Sequence, residues 1–425
     1  MPETLKCCLV NEFMIYRFGQ LFDIIDGDRG KNYPKDDDFS DDGYCLFLNA
    51  GNVTKAGWSF EKNSFVTREK DQQLRKGHVS RGDTVLTTRG TVGNAAYYDD
   101  SIPYDHMRIN SGMVILRAKD NALIDNRFIY YLVTSPVVNK TIELFCSGSA
   151  QPQLPIKDFV KIKINLPSIE KQKLIISILS AYDNLIEVNN KRIKILEQMA
   201  ENLYKEWFVR FRFPGYETAE FENGIPKGWE KCRLEDIISF TRGVGYSSSE
   251  IIDGDVVLLS MNNIRPYGGY IADYSRVYSG KYKNDQVVRE NDLIMSITDM
   301  TQDRRIIGYV GIVSPTVNKC VICTHLMKVS SHVYHNYFLY GMFAYSGLSR
   351  YISEYATGAN VLGLTANILN RIKCRVPSKE LADEYTQQVT PLIQEMHSLE
   401  TLNTNLIKQR DLLLPRLMSG KIEVM

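Results

Sequence analysis

Hydrophobic positions follow a seven-residue pattern in two separate stretches of the chain. In both stretches, apolar side chains recur in alternating steps of four and three residues, which is typical of a coiled-coil seam. The first seam consists of Ile175, Leu179, Tyr182, Ile186, Asn189, Ile193, Leu196, Ala200, Leu203 and Trp207. The second seam consists of Leu392, Met396, Leu399, Asn403, Leu406, Arg410, Leu413 and Leu417. The pattern predicts two long helices, the first over Gln172–Phe208, and Pro415 is expected to end or kink the second.

The stretches that precede the two seams have a different pattern. Short apolar runs rich in β-branched residues, such as 112–116 and 307–313, alternate with glycine, asparagine and aspartate. This alternation is typical of strand-rich domains with tight turns. A few helices are expected among the strands, including one over 126–144. Each domain ends at a Pro-Ser pair, 167–168 or 377–378, after which the long helix is predicted to begin.

An internal repeat connects the two halves of the chain. Residues 128–170 share ten identities with residues 338–380, at a constant offset of 210 positions. Because 210 is a multiple of seven, the repeat keeps both seams in the same heptad position. Weaker matches extend the repeat upstream, where Asn52 and Asn263 follow similar apolar runs. The chain is therefore predicted to be a tandem duplication of a strand-rich domain followed by a long helix.

The order domain, helix, domain, helix predicts an α+β fold with an antiparallel coiled coil, since the second helix must return along the first to bury both seams. The predicted parts are a first domain over 1–165, a helix over 166–213, a linker over 214–227, a second domain over 228–376, and a second helix with a tail over 377–425. This packing has an approximate two-fold axis. Two similar modules related by a dyad match two half-sites on duplex DNA. Because the two domains have diverged, the half-sites should differ in sequence.

Charge and composition limit the kinds of partner. The 425 residues include 51 Lys and Arg against 50 Asp and Glu, a net charge of +1, so bulk electrostatic attraction to nucleic acid is excluded. Any DNA binding must come from local surfaces. The chain has no apolar stretch of membrane-spanning length and no signal-peptide core, and a cytoplasmic protein is expected. Its eight cysteines are scattered, which favours reduced thiols.

Motifs of enzymes and metal sites do not match this sequence. It has no Asn/Asp-Pro-Pro-aromatic segment of an adenine methyltransferase, and its Gly-Lys pairs lack the rest of a phosphate-binding loop. Gly243-Val244-Gly245 is interpreted as a flexible loop rather than a dinucleotide site. Cys320, Cys323 and the histidines that follow do not fit a zinc template. No catalytic residue and no metal ligand is therefore predicted.

Polar residues in loops of both domains are candidates for contact with DNA. Arginine suits guanine, asparagine and glutamine suit adenine, and hydroxyls or backbone amides suit phosphate. In the first domain the candidates are Arg29, Lys31, Thr87, Arg89, Thr91, Gln151 and Gln153. In the second domain they are Arg242, Asn262, Asn263, Arg265, Tyr267, Arg304, Arg305 and Asn360.

Several segments resemble the specificity subunits of type I restriction-modification systems. Residues 166–172, followed by the Leu-Tyr-Lys-x-Trp-Phe-Val-x-Phe-x-Phe-Pro run that ends at Pro214, resemble the central conserved region of that family. Residues 224–229 resemble the entry to its second recognition domain, and 412–422 resemble its distal conserved region. Residues 27–34 and 87–93 look like common segments of its target-recognition domains. The resemblance covers essentially the whole chain in the order of the family.

The resemblance implies a function that the repeat alone only suggests. Such a subunit has no catalytic activity; each of its two target-recognition domains reads one part of a bipartite double-stranded DNA site. Its paired helices bind two adenine-N6 methyltransferase subunits, and restriction subunits join them. S-adenosylmethionine, ATP and Mg²⁺ belong to those partners, so this chain is expected to hold no cofactor and to have no membrane contact. The sequence departs from the family pattern at 379–382, which differs from 169–172, and in lacking a first-domain counterpart of 225–229.

Two questions remain open from the sequence. The chain could instead be a non-catalytic coiled-coil adaptor whose globular domains bind protein. Trp207 and Phe208, at the end of the first seam, could pack in a core or form part of the surface that binds the methyltransferase.

Overall fold

The computed structural model describes residues 13–146, 152–251, 254–316, 318–419 and 421–422. Contacts divide the chain into two compact units. The first comprises the described residues up to Ile186 together with those from Asn405 onward, and the second is Glu187–Thr404. Both units mix helices and sheets, so the α+β class predicted from the sequence is confirmed. None of the described helices is both long enough and apolar enough to span a bilayer.

The elements up to the first long helix alternate short strands with short helices. They are β1 (Phe13–Arg17), α1 (Phe18–Leu21), β2 (Phe22–Asp26), β3 (Cys45–Leu48), β4 (Val53–Thr54), β5 (Gly57–Trp58), β6 (Phe65–Val66), α2 (Arg68–Gln73), β7 (His78–Val79), β8 (Thr84–Thr87), β9 (Ala95–Tyr97), β10 (Met107–Ile109), β11 (Met113–Ala118), α3 (Asn126–Thr134), α4 (Pro136–Phe145), α5 (Ile156–Phe159), β12 (Lys163–Pro167) and α6 (Ile169–Tyr204). A π-helical turn, Lys205–Val209, follows α6.

The remaining elements repeat this alternation and end in the second long helix. They are β13 (Phe221–Glu222), β14 (Ile225–Pro226), β15 (Glu230–Arg233), α7 (Leu234–Ile237), β16 (Ser239–Arg242), β17 (Val256–Leu259), β18 (Val277–Tyr278), β19 (Val287–Val288), β20 (Leu293–Ser296), β21 (Thr298–Asp299), β22 (Val310–Ile312), β23 (Lys319–Ile322), β24 (Leu326–Ser330), α8 (Asn336–Tyr345), α9 (Leu348–Ser353), β25 (Leu362–Gly363), α10 (Ala366–Arg371), β26 (Lys373–Val376) and α11 (Lys379–Met418).

The two units have corresponding sheets. The first contains the four-stranded sheets β6-β3-β10-β7 and β2-β11-β8-β9, and the second contains β18-β17-β23-β19 and β16-β24-β20-β22. In each unit one parallel pair occurs at the same place, β3 with β10 and β17 with β23. In both units an early strand also pairs antiparallel with the strand that precedes the long helix, β1 with β12 and β15 with β26. Apolar runs such as those of β11 and β20 are buried because they lie in the middle of their sheets.

Both predicted seams lie on the buried side of their helices. Within the first unit, Ile175 and Leu179 of α6 pack in the same core as Leu417 of α11. Within the second unit, Asn189 of α6 donates a hydrogen bond to Asn403 of α11 at 2.8 Å. The remaining seam residues are buried or half-buried as well. The heptad pattern therefore identified the packing face of each helix correctly.

Three predicted helix bounds are corrected. The helix expected over 126–144 is two helices, because Pro136 has no amide hydrogen to donate and Ser135 caps the new start through Val138 N at 3.4 Å. Helix α11 continues through Pro415 to Met418, since core packing of its last turn, including Leu417, outweighs one missing backbone bond. Helix α6 begins at Ile169 and not at Gln172, and after Tyr204 the π-helical turn Lys205–Val209 continues it past Phe208.

Trp207 and Phe208 lie in the core of the second unit. Their rings contact Tyr385 of α11, with centroids 6.0 and 5.1 Å apart respectively. Both side chains are less than one-tenth exposed. This burial favours the packing interpretation over direct contact with a partner.

Candidate nucleic-acid interface

A short loop after β8 carries three of the first-unit candidates. Thr88 N and Arg89 N both donate to the carbonyl of Gly112, at 2.8 and 3.2 Å, which ties the loop to the turn between β10 and β11. Gly90 and Gly93 have φ of 72° and 93°, in the left-handed region that glycine tolerates. The loop is thus held by backbone contacts, which leaves its outward side chains available.

The segment before α5 pairs with this loop. Arg89 and Gln153 face each other as an antiparallel bridge, flanked by the bond from Leu154 N to Thr88 O at 2.9 Å. Gln153 is exposed, whereas Arg89 is half-buried. The Arg89 Nε atom is buried yet has no hydrogen-bond partner among the described residues. The fold therefore brings Arg89 and Gln153 together, although they are far apart in sequence; Gln151 lies outside the described residues.

The two threonines of the loop have different roles. Thr87 is fully buried at the end of β8, and its hydroxyl donates to the carbonyls of Thr91 and Asn94. It therefore shapes the loop from inside. The side chain of Thr91 is exposed.

Arg29 and Lys31 belong to a neighbouring loop after β2. The Arg29 guanidinium donates to Asp26 at 3.0 Å and to the carbonyl of Ser111 at 3.2 Å. Ser111 belongs to the turn between β10 and β11, whose Gly112 carbonyl accepts from Arg89 N. A Cβ on Gly27 would lie 2.2 Å from the carbonyl oxygen of Asn110, so only glycine permits this close approach. Lys31 is exposed on the same loop. Arg29, Arg89 and Gln153 thus surround one turn of the first unit.

Backbone amides hold the base of the Arg29 loop. Asp28 accepts from Arg75 N at 2.8 Å and from Gly30 N at 2.9 Å. These hydrogen bonds to the carboxylate, that of Arg75 first, lower the pKa of Asp28. An ionised carboxylate therefore fixes the loop near neutral pH, and the basic side chains beside it remain unpaired with Asp28.

The second unit builds the same arrangement from different residues. Arg242, exposed at the end of β16, donates to the carbonyl of Thr324 at 3.4 Å. The loop after β20 is longer than its counterpart after β8, and its strand β21 pairs with β25. Gly243 approaches the backbone of Cys323 so closely that a Cβ would lie 2.1 Å from its carbonyl oxygen. The interpretation of Gly243-Val244-Gly245 as a flexible loop is therefore wrong at Gly243, which is buried and hydrogen-bonded.

Tyr267, Arg304 and Arg305 come together on the second unit. Tyr267 N donates to the carbonyl of Arg305 at 2.7 Å. Tyr267 and Arg304 are both exposed and both have positive φ, 65° and 53°, which is unfavourable for these residue types. Arg305 is half-buried, and its Nε lies 3.4 Å from Asp303. Strained, exposed side chains of this kind concentrate at functional sites.

Asn262 and Asn360 are exposed in separate loops of the second unit. Asn262 lies in the single turn before the Tyr267 hairpin. The segment of Asn360 is attached to the loop after β20, because Gln302 Nε2 donates to the carbonyl of Ala359 at 3.0 Å. Asn262 therefore borders the hairpin that carries Tyr267, and Asn360 borders the loop that carries Arg304 and Arg305.

Asn263 requires a correction. Its side chain is 2% exposed, and its Oδ1 accepts from Ser260 N at 2.8 Å. Its Nδ2 donates to the carbonyls of Ile271 and Asp273, at 3.0 and 2.8 Å. The amide is thus used entirely inside the unit and has no free group for a base.

Arg265 forms an ion pair inside the second unit. Its Nη1 lies 2.9 Å from Glu197 Oε1 on α6. Arg29 is paired with Asp26 in the same way, so the ion pair does not exclude a contact between Arg265 and DNA, and that contact stays a prediction.

Sequence reasoning missed Arg350 and Tyr309. Both line a shallow depression on the second unit together with Tyr267 and Arg304. Arg350 lies on α9, in a segment whose sequence has no loop signal, so only the fold reveals its position. In the first unit, Lys55 was missed in the same way; it borders the loop after β8.

The cysteines considered as metal ligands are core residues. Cys320 and Cys323 are fully buried, and burial raises the pKa of the Cys320 thiol to about 11. Over the parts of the chain that the structure describes, no three His, Cys, Asp or Glu side chains are grouped to hold a metal ion.

Comparison with known proteins identifies relatives along the whole chain. A family model described as the type I restriction modification DNA specificity domain matches residues 11–198. The specificity subunit of the type I restriction enzyme MjaIX from Methanocaldococcus jannaschii is 25% identical over 371 residues, covering 86% of this chain and 82% of that protein. The HindI specificity subunit from Haemophilus influenzae is 22% identical over 467 residues, covering 93% and 98%. The crystal structure of a type I restriction-modification S subunit from M. genitalium is similar in fold, with a TM-score of 0.54, 16% identity and full coverage of both chains.

Proposed function

We propose that this chain is a specificity subunit of a type I restriction-modification system, as its similarity to that family supports. In this role it directs a methyltransferase and restriction complex to a bipartite, asymmetric site on double-stranded DNA. Each of its two target-recognition domains reads one half of the site. The observation that carries the proposal is the repeated loop arrangement around the turns at Ser111 and Thr324. The same backbone frame presents different side chains in the two units, as two readers of different half-sites require.

The proposed DNA contacts are the exposed or half-buried candidates near these loops. In the first unit they are Arg29, Lys31, Arg89, Thr91 and Gln153. In the second they are Arg242, Asn262, Tyr267, Arg304, Arg305 and Asn360. Guanidinium and amide groups give direct base readout, and the flanking hydroxyls and lysine suit phosphate. Thr87 and Asn263 hold the loops, and Gln151 stays a prediction.

The two long helices form the proposed docking surface for two methyltransferase subunits. Contacts within the second unit support an antiparallel pair, because Asn189 meets Asn403 whereas the later Arg192 meets the earlier Glu395. Helix α6 also has a second apolar stripe that the seam does not use: Val188, Ile195 and Met199 are 51, 56 and 49% exposed. Exposed apolar side chains on one helix face are typical of a protein-binding surface. The approximate two-fold axis and the domain boundaries stay predictions.

Chemistry in such a complex belongs to the partner subunits. S-adenosylmethionine, ATP and Mg²⁺ are assigned to the methyltransferase and restriction subunits, and this chain supplies the sequence discrimination as a non-catalytic subunit. A cytoplasmic location follows from the same role.

Methylation mapping tests the proposal. The chain and its methyltransferase partner are expressed in cells that lack other adenine methyltransferases, and modified adenines are located across the genome. A split, non-palindromic motif with one methylated adenine in each half is expected. Expression of the partner without this chain is the control and should leave the motif unmodified. If both strains show identical methylation, the chain does not confer specificity, and the protein-binding adaptor becomes the better interpretation.

A further inference from the structure

A hairpin of the second unit projects an aromatic side chain from a rigid turn. Ile264 and Tyr270 form its antiparallel bridge, and Arg265 N donates to the carbonyl of Gly269 at 3.0 Å. Tyr267, at the tip, is 64% exposed. Its ring and that of Tyr309 are perpendicular, with centroids 5.9 Å apart and planes at 90°. The tip is therefore ordered by its backbone, while most of the ring remains uncovered.

The backbone at this tip is strained in a way that the surrounding structure must maintain. Tyr267 has φ of 65°, a left-handed conformation that costs free energy in a residue with a Cβ. Two bonds oppose that cost: Tyr267 N to the carbonyl of Arg305 at 2.7 Å, and Gly269 N to the carbonyl of Val310 at 2.8 Å. Exposure of a large aromatic at such a position gains nothing for folding.

Arg265 connects this hairpin to the long helix. Its guanidinium runs beneath the tip, where a Cβ on Gly269 would lie 3.3 Å from Arg265 Cζ, and ends on Glu197 of α6 at 2.9 Å. The Arg265 and Glu197 side chains are 41 and 35% exposed, so their pairing contributes little to stability. The pair joins the hairpin to α6 within the second unit.

The corresponding hairpin of the first unit lacks both features. It is the β4–β5 turn, which follows the buried Asn52 as the Tyr267 hairpin follows the buried Asn263. Its tip is Lys55-Ala56, and the Thr54 hydroxyl closes the turn by donating to the carbonyl of Gly57 at 3.0 Å. The aromatic tip is thus specific to one unit.

We propose that Tyr267 packs against the DNA of the half-site read by the second unit, and that Arg265 is a positioning residue that sets the hairpin through Glu197. The inference rests on the proposed function and names how one half-site is recognised. It also links recognition to α6, the helix proposed to bind the methyltransferase. The Arg265–Glu197 ion pair would then lie between the DNA-binding hairpin and the helix that binds the methyltransferase.

Binding of the mapped DNA site by the complex with its methyltransferase partner tests this inference. Tyr267→Ala should weaken binding by roughly 5- to 100-fold, the range for loss of recognition at one base pair of a duplex site. Arg265→Ala and Glu197→Gln should each give a smaller loss, and the exchange Arg265→Glu with Glu197→Arg should recover most of it. Arg192→Ala is the matched control: it removes another α6 ion pair, with Glu395 at 2.7 Å, that does not reach the hairpin.

Salt dependence separates positioning from phosphate contact. A positioning role predicts that Arg265→Ala leaves the slope of log Kd against log salt unchanged, whereas loss of a phosphate contact reduces that slope by about one. Binding to duplexes altered in either half-site is compared as well. Tyr267→Ala and Arg265→Ala should lose discrimination only at the half-site read by the second unit. Three results would overturn the inference: unchanged affinity in Tyr267→Ala, a reduced slope in Arg265→Ala, or no recovery of binding in the exchanged pair. If the wild-type complex still binds the site specifically, the proposed function stands in each of these cases. Absence of specific binding by the wild-type complex would overturn both.

Discussion

Two buried asparagines, Asn52 and Asn263, hold corresponding loops in the two units. The Nδ2 of Asn52 donates to the carbonyls of Ser59 and Lys62, at 2.9 and 3.0 Å, as that of Asn263 does to two carbonyls of its own loop. The sequence match between them was correct, but the function assigned to Asn263 was not. At the scale of the residue, a polar side chain is a candidate reader only if the fold leaves its hydrogen-bonding groups free.

Arg89 meets that condition in the first unit. Arg89→Ala should abolish or relax recognition of one half-site, with a loss of about 1–3 kcal/mol of discrimination, because a guanidinium contact to a base is removed. Methylation of duplexes altered in each half-site measures this effect, and co-purification of the methyltransferase checks that assembly is intact. Unchanged protection of the wild-type site with unchanged discrimination would contradict the assignment.

His397 gives the second unit an acid-sensitive group. Its side chain is 8% exposed, and burial lowers its pKa to about 4. The unfolded chain has a histidine pKa near 6.5 and so takes up a proton that the folded chain does not. The contribution of His397 to the free energy of unfolding is therefore fully present above about pH 6.5. About 3 kcal/mol of that free energy is lost as the pH falls towards 4.

Urea unfolding at pH 7.5 and 5.0 measures this effect. His397→Leu should reduce the loss of unfolding free energy between these two pH values. His332→Leu, which removes an exposed imidazole from the same unit, is the control. Equal losses in wild type and His397→Leu would show that another group is responsible.

At the scale of the element, the long helices combine an apolar seam with a few polar contacts. Asn189 and Asn403 are 2 and 7% exposed, and Asn403 Nδ2 also donates to Asn190 at 2.9 Å. Arg410 meets Asp183 at 2.7 Å within the first unit. Such contacts lower stability relative to leucine but restrict the register of the pair.

The asparagine pair yields a double-mutant cycle. Asn189→Leu alone leaves the Asn403 amide short of a partner and should cost about 1–3 kcal/mol. The double change Asn189→Leu with Asn403→Leu should restore or exceed wild-type stability, because both polar groups leave the core. Thermal unfolding of the four proteins measures the coupling. A double variant less stable than the single one would contradict this account.

The exposed stripe of α6 is testable without disturbing the seam. Ile195→Asp should weaken capture of the methyltransferase subunit while leaving thermal unfolding nearly unchanged, because Ile195 is already 56% exposed. Gln198→Asp, at a nearby exposed position of α6, adds the same single negative charge and is the control. Full capture by Ile195→Asp would place the docking surface elsewhere.

At the scale of the whole molecule, the net charge of +1 limits what this chain does alone. Affinity for DNA grows with the number of phosphates neutralised, and this chain offers only local basic surfaces rather than an overall positive charge for that purpose. The isolated chain should therefore bind DNA weakly at about 0.15 M salt, and the complex with methyltransferase should bind tightly with a steep salt dependence. Titration of labelled DNA at several salt concentrations measures both slopes. Equal slopes for the chain and the complex would assign the phosphate contacts to this chain.

Features that depend on local periodicity could be predicted from the sequence. Heptad spacing identified the buried face of α6 and α11, the 210-residue offset indicated the repeat, and the order of the motifs indicated the family resemblance. Features that depend on distant partners became visible only in the fold. Arg265 is a positioning residue because Glu197, 68 positions away, lies beside it, and Asn263 is buried because its own loop closes over it. Periodicity is a property of neighbouring residues, whereas the role of a polar side chain depends on which remote groups the fold brings within hydrogen-bond distance.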